Sequence, residues 1–258
     1  MRTDATTESG APGHDVLISA DGVRISAVHH PDAARGLCFV VAHGFTGSWR
    51  RPKVAAVMAG LHRHGGVVGF DFRGHGASGG ASTVGDREVL DLDAAVAWAR
   101  RLGYRRVATV GFSMGGSVVV RHAALYGGVD AVVAVSAPSR WYYRGTPPMR
   151  RLHAAIDHPV GRFVIRTALH TRVSARRWSP IPAAPKDVAA RLSPIPLLVV
   201  HGDSDTYFPI DHPHQLYAAA REPKELWIEP GLGHAENAVG PELVERMAQW
   251  VGEHVAER

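Results

Sequence analysis

The hexapeptide Gly111-Phe112-Ser113-Met114-Gly115-Gly116 constrains this chain more than any other stretch. It follows the apolar run Val107 to Val110 and precedes Ser117 to Leu125. The hydrophobic period therefore changes from that of a buried strand to that of a helix across one tight turn. Glycines two residues before and two residues after the serine fit that turn for a steric reason. A Cβ at either flank would collide with the neighbouring strand or helix, and the sharp reversal leaves the hydroxyl clear of the sheet at a helix N-terminus. The chain is rich in glycine, with 28 in 258 residues, so a chance match in some other α/β protein stays open until the rest is read.

The same rhythm of short apolar runs and amphipathic stretches recurs along the chain. Asp15 to Ala20 and Val23 to Val28 flank Asp21-Gly22 and read as a hairpin. Leu37 to Ala42 is apolar throughout, as in a strand buried on both faces, and ends in His43-Gly44-Phe45-Thr46-Gly47-Ser48. Helical spacing follows over Pro52 to His64, then a strand over Val67 to Phe72, a turn-rich loop over Arg73 to Gly80, and an amphipathic helix over Asp86 to Leu102 with Gly103 at its C-cap. After the hexapeptide come strands at Val129 to Val135, Pro196 to His201 and Glu225 to Glu229, and helices at His212 to Arg221 and Pro241 to Val255. Strands alternating with helices predict an α/β fold, a doubly wound and mainly parallel sheet. Between Ser139 and Leu192 the rhythm breaks. Proline, arginine and aromatics dominate there, with short helical patterns such as Gly161 to His170.

The apolar fraction of 45% and charged fraction of 21% are those of an ordinary globular protein, and no stretch approaches the ~20 apolar residues of a membrane span. Met1 to His14 is polar, lacks the apolar region of a signal peptide, and reads as a flexible tail. The lone Cys38, inside an apolar run, forms no internal disulfide and reads as a buried, inert thiol. The default placement is cytoplasmic. Net charge is uneven: residues 140–191 hold eleven Arg and Lys against two Asp, giving +9, while the remainder is −4. No nucleic-acid-binding pattern accompanies the basic segment, and a solvated arginine-rich surface is the simpler account.

A nucleophilic Ser113 needs a base, an orienting acid and an oxyanion hole, each in a loop after a strand. Pro230-Gly231-Leu232-Gly233-His234 lies directly after a strand and before the last helix. His201-Gly202-Asp203-Ser204-Asp205 follows another, with Pro209 four residues beyond Asp205. With its Gly-x-Ser-x-Gly turn, His-Gly loop, acid loop and histidine loop in that order, the chain resembles the α/β-hydrolases, and within them small serine carboxylesterases and monoacylglycerol-lipase-like enzymes. The resemblance implies Ser113 as nucleophile, Asp205 as acid with Asp203 as runner-up, and His234 as base. It implies the backbone N–H groups of Phe45 and Met114 as the oxyanion hole. Some relatives carry the acid after the strand following the elbow, but Ser136-Ala137-Pro138-Ser139 holds no carboxylate.

The resemblance further implies a core over 15–138 and 193–258 and a mostly helical cap over 139–192, with 1–14 as tail. Trp141, Tyr142 and Tyr143 would stand near its first hinge. A small-molecule carboxylic ester is the expected substrate, with no cofactor and no metal. The basic cap raises a further possibility, an acidic substrate or carrier such as an acyl group on coenzyme A or a carrier protein. Thioesters, carbon–carbon bonds, perhydrolysis and a non-catalytic small-molecule receptor share the same constellation and stay open. His43 and His75 match loops in which histidine is structural, and His29, His30, His62, His64, His212 and His214 read as surface or loop residues.

Overall fold

A computed structural model of the protein describes residues 13–256, and the expected tail lies almost wholly outside them. Strands β1 (Gly13–Ile18) and β2 (Arg24–His30) form an antiparallel hairpin. Gly22 turns it with φ of +82° and donates its N–H to the Ser19 carbonyl. The first strand thus begins at Gly13, two residues before the expected start. Next come β3 (Leu37–Ala42), α1 (Pro52–Leu61), β4 (Gly66–Phe70), α2 (Glu88–Arg101), β5 (Arg106–Phe112), α3 (Met114–Leu125) and β6 (Ala131–Val135). After α4 (Pro147–Asp157), α5 (Pro159–Ala168) and the single turn α6 (Pro185–Val188), the pattern resumes with β7 (Leu197–Gly202), α7 (Asp211–Ala219), β8 (Lys224–Glu229) and α8 (Pro241–Ala256).

The eight strands form one sheet in the order β1-β2-β4-β3-β5-β6-β7-β8, parallel from β4 onward. Period-two alternation gives the sheet two apolar faces. Cys38 and Val40 of β3, Val132 of β6 and Val199 of β7 face α2, α3 and α7. Phe39, Val41, Val133 and Val200 face α1 and α8. Burial pushes the Cys38 thiol up to about 12, so it stays protonated. β5 lies mid-sheet, and the loops at the carboxyl ends of its neighbours converge beside Ser113.

Residues 140–183 stand over those carboxyl ends. α4 packs along α5, and isolated bridges from Thr171 to His75 and from Val173 to Ser82 tie the segment to the loop after β4. Residues 185–192 pack on α3, and Ala189 and Leu192 join the main core.

Two histidines expected on the surface or in loops lie buried within regular elements, His29 in β2 and His212 in α7. His29 is 7% exposed because its Nε2 meets the Tyr104 hydroxyl at 2.8 Å beneath Trp98. His212 is fully buried, with Nδ1 accepting the Ser139 N–H at 3.1 Å. Burial lowers both rings to about 4, so they sit in the core uncharged.

Candidate active site

Ser113 is the single residue between β5 and α3, with φ of +51° and ψ of −114°. A positive φ in a non-glycine residue is strained, and the surrounding packing holds it in place. A Cβ on Gly111 would lie 2.3 Å from the Gly115 carbonyl oxygen. One on Gly115 would lie 2.2 Å from the Ala42 carbonyl oxygen at the end of β3. Helix and strand therefore close on the turn from both sides. The serine side chain is left half-buried at the N-terminus of α3.

The structure brings Ser113, His234 and Asp205 together from three separate loops. His234 Nε2 lies 3.0 Å from Ser113 Oγ, and Nδ1 lies 2.7 Å from Asp205 Oδ2. A carboxylate only accepts, so Nδ1 carries the proton and the Nε2 lone pair faces the serine hydroxyl. Asp205 Oδ1 accepts the N–H groups of Tyr207 at 2.8 Å and Phe208 at 3.0 Å. Burial opposes its ionisation, but the His234 ring and these two N–H groups outweigh burial and hold the carboxyl below its ordinary value. Asp203, the runner-up, points elsewhere: its Oδ1 accepts the Gly231 N–H at 2.7 Å and the Ser204 hydroxyl at 3.1 Å.

Phe45 and Met114 line the cavity beside Ser113. Among the described residues neither backbone N–H has an acceptor, as the first turn of a helix requires for Met114. The Phe45 loop is held by two histidines. His43 Nδ1–H donates to the Gly44 carbonyl at 2.7 Å, and Nε2 accepts the Phe72 N–H at 3.1 Å. His75 Nδ1–H donates to the Arg73 carbonyl at 3.0 Å, and Nε2 accepts the Thr46 N–H at 3.2 Å. Burial lowers His43 to about 4 and His75 to about 3, and each needs its neutral form to accept.

Three neighbours of this group escape the sequence reading. Tyr207 stacks on the His234 ring at 4.4 Å and Phe208 flanks it at 5.6 Å; their position just after Asp205 was an available signal. Glu236 is 7% exposed and accepts the Gly44 N–H at 3.2 Å. It lies two residues after His234, but Gly44 is 192 positions away in sequence, and nothing local announces the pair.

The cavity over Ser113 measures about 910 Å³, within the usual range for small-molecule sites. Its floor is polar, with Ser113, His234 and Glu236, and its walls include Val84, Leu152 and Ile156. Trp141, Tyr142 and Tyr143 all line it, and Trp141 Nε1–H donates to the Pro182 carbonyl at 2.8 Å. Among the described residues no cluster of His, Cys, Asp or Glu has metal-binding geometry, and no helix is long and apolar enough to cross a membrane.

Comparison with known proteins bears on the family and the fold. Uncharacterized protein Rv2307c of Mycobacterium tuberculosis is 27% identical over 242 residues, spanning 90% of this chain and 75% of that protein. The esterase Pf2001 of Pyrococcus furiosus superposes with a TM-score of 0.71 at 25% identity, over 100% of this chain and 96% of that one. The esterase RhEst1 of Rhodococcus sp. ECU1013 shares the fold, with a TM-score of 0.70 at 20% identity over 93% of this chain and 98% of that one. The Alpha/beta hydrolase family model matches residues 39–248, from the strand before the His-Gly loop into the last helix. On that span and this topology, the chain belongs to the alpha/beta hydrolase family.

Proposed function

We propose that the protein is a serine hydrolase that cleaves carboxylic esters through an acyl-enzyme. The observation that carries this reading is His234, bound through one ring nitrogen to Ser113 and through the other to Asp205. Ser113 Oγ attacks the ester carbonyl carbon while His234 Nε2 takes the hydroxyl proton. Asp205 stabilises the resulting imidazolium and fixes its tautomer. The oxyanion falls to the N–H groups of Phe45 and Met114, rigid backbone donors aimed before the charge develops. His234 returns the proton to the leaving alkoxide, and the alcohol departs. Water, deprotonated by His234, then attacks the acyl carbon, and the released proton restores Ser113. The apolar walls suit an acyl chain, and the esterase neighbours support the same reaction class.

The test is hydrolysis of p-nitrophenyl esters of graded chain length by the purified chain, beside Ser113→Ala. Turnover that vanishes in the variant supports the nucleophile, and the preferred length sizes the pocket. No turnover on any ester, with Ser113 still labelled by a fluorophosphonate, redirects the reading to another bond, such as a carbon–carbon bond. An unlabelled Ser113 overturns the enzyme reading in favour of a receptor.

A thioester on an acidic carrier is a second reading, favoured by one observation. Arg176 and Arg177 are exposed at the cavity and, among the described residues, form no ion pair. Reversing both to Glu raises KM for acyl-coenzyme A alone on this reading. An unchanged KM ends it.

A further inference from the structure

Helix α5 turns its apolar side outward. Val160, Phe163 and Val164 share one helical face by their spacing and are 62%, 65% and 52% exposed. Across the helix Ile165 is buried, and Gly161 lies against Ala155 of α4, where a Cβ would come within 2.2 Å of the Ala155 carbonyl oxygen. α5 is thus seated by its inner face, and its larger apolar side chains are left to solvent. Single exposed apolar residues are ordinary, but a contiguous apolar face marks a contact surface.

Charge accompanies the patch. Residues 144–166 hold five arginines and one acid, Asp157, which Arg144 binds at 2.9 Å. Arg151 and Arg166 are exposed and, among the described residues, form no ion pair. The basic segment over 140–191 carries +9 and the remainder of the chain −4. Such an asymmetry orients the molecule, cap first, towards a negative surface.

We propose that the outer face of the α4–α5 pair docks on an anionic lipid surface. Val160, Phe163 and Val164 enter the acyl boundary, and Arg151 and Arg166 lie at the headgroups. A second copy of the chain fits less well, because apposing two such faces brings like charges together in a medium that screens them poorly. An anionic surface satisfies both the apolar and the charged groups. Leu169, the C-cap residue of α5, is 40% exposed and lines the cavity over Ser113, so the cavity opens close to the end of this helix.

The experiment is co-sedimentation of the whole chain with phosphatidylcholine vesicles, with and without phosphatidylglycerol. Binding is expected only with phosphatidylglycerol and weakens as salt is raised. Val160→Ser with Phe163→Ser and Val164→Ser weakens it by about tenfold or more. Arg151→Gln with Arg166→Gln weakens it by roughly thirtyfold. Circular dichroism checks the fold of each variant. If the triple variant misfolds, Phe163→Asp alone is expected to abolish binding while the chain stays folded. No sedimentation of the native chain, or native affinity in the variants, overturns the proposal. So does a concentration-dependent dimer that the triple variant dissolves while the native chain ignores vesicles.

Discussion

The Glu236 carboxylate accepts the Gly44 N–H at 3.2 Å, tying the loop that carries His234 to the loop that carries Phe45. Each loop has further ties of its own, with His75 accepting the Thr46 N–H at 3.2 Å and Ser136 Oγ accepting the Ala235 N–H at 3.0 Å. Glu236 is nine-tenths buried and, among the described residues, forms no ion pair. Its bond to Gly44 is therefore its principal anchor. Glu236→Ala is expected to lower kcat for a short p-nitrophenyl ester by about tenfold, less than the ~10²–10³ that follows loss of an oxyanion donor. Glu236→Gln keeps an acceptor and is expected to stay within about threefold of the native rate. Equal losses in both variants would place the effect in the charge and not in the bond. Steady-state kinetics, with thermal midpoints as the control for folding, separates the two.

Gly115 meets the end of β3 so closely that its substitution tests the whole turn. A Cβ there would lie 2.2 Å from the Ala42 carbonyl oxygen and 2.6 Å from that of His43. Backbone on both sides leaves no flexible group to give way. Gly115→Ala is expected to cost about 3 kcal/mol of stability in urea unfolding. A loss under about 0.5 kcal/mol, the range of an ordinary surface change, would mean that the turn yields more easily than this packing implies.

Asp205→Asn separates the tautomer from the fold. An amide oxygen can still accept the Tyr207 and Phe208 N–H groups, but the amide nitrogen facing Nδ1 would force the proton onto Nε2. The serine would then face a donor. On the proposed mechanism kcat is expected to fall by roughly 10⁴ with little change in melting temperature. A fall of less than about tenfold would overturn the role assigned to Asp205.

Stability should decline on mild acidification. His29, His43 and His212 are lowered to about 4 and His75 to about 3, chiefly by burial. Their unfolded counterparts take up protons below about pH 6.5, while the folded rings stay neutral. The unfolded chain therefore binds more protons in this interval, and stability falls as the pH drops from about 6.5 towards 4. Each histidine contributes a slope of at most about 1.4 kcal/mol per pH unit. Among the carboxylates, Asp21, held to about 2 by Arg73 against burial, acts mainly below this window, while burial raises Asp91 to about 7 so that it opposes the histidines within it. Urea midpoints at several pH values between 7 and 4.5, roughly the neutral-histidine interval, provide the check. A flat profile would mean that these rings charge without disturbing their partners.

Local pattern carried the α/β architecture, because buried strands and amphipathic helices differ in period and the turns between them need glycine. It also carried the order of the Ser113, Asp205 and His234 loops, since each directly follows an apolar run. The resemblance already ranks Asp205 above Asp203, and in the fold the two, two residues apart in sequence, point to His234 and to Gly231. Burial of histidine lay beyond local pattern, since His29 and His212 are sheltered by Trp98, Tyr104 and Ser139 from distant parts of the chain.

Sequence by itself determined which segments become strands, helices and tight turns, because those choices depend on hydrophobic period and backbone freedom within a few residues. Only the tertiary structure decided that Glu236 meets Gly44, that Tyr207 lies flat on His234 and that α5 keeps Phe163 in solvent. Those outcomes depend on which surfaces face each other after the sheet closes, over separations that local periodicity does not encode.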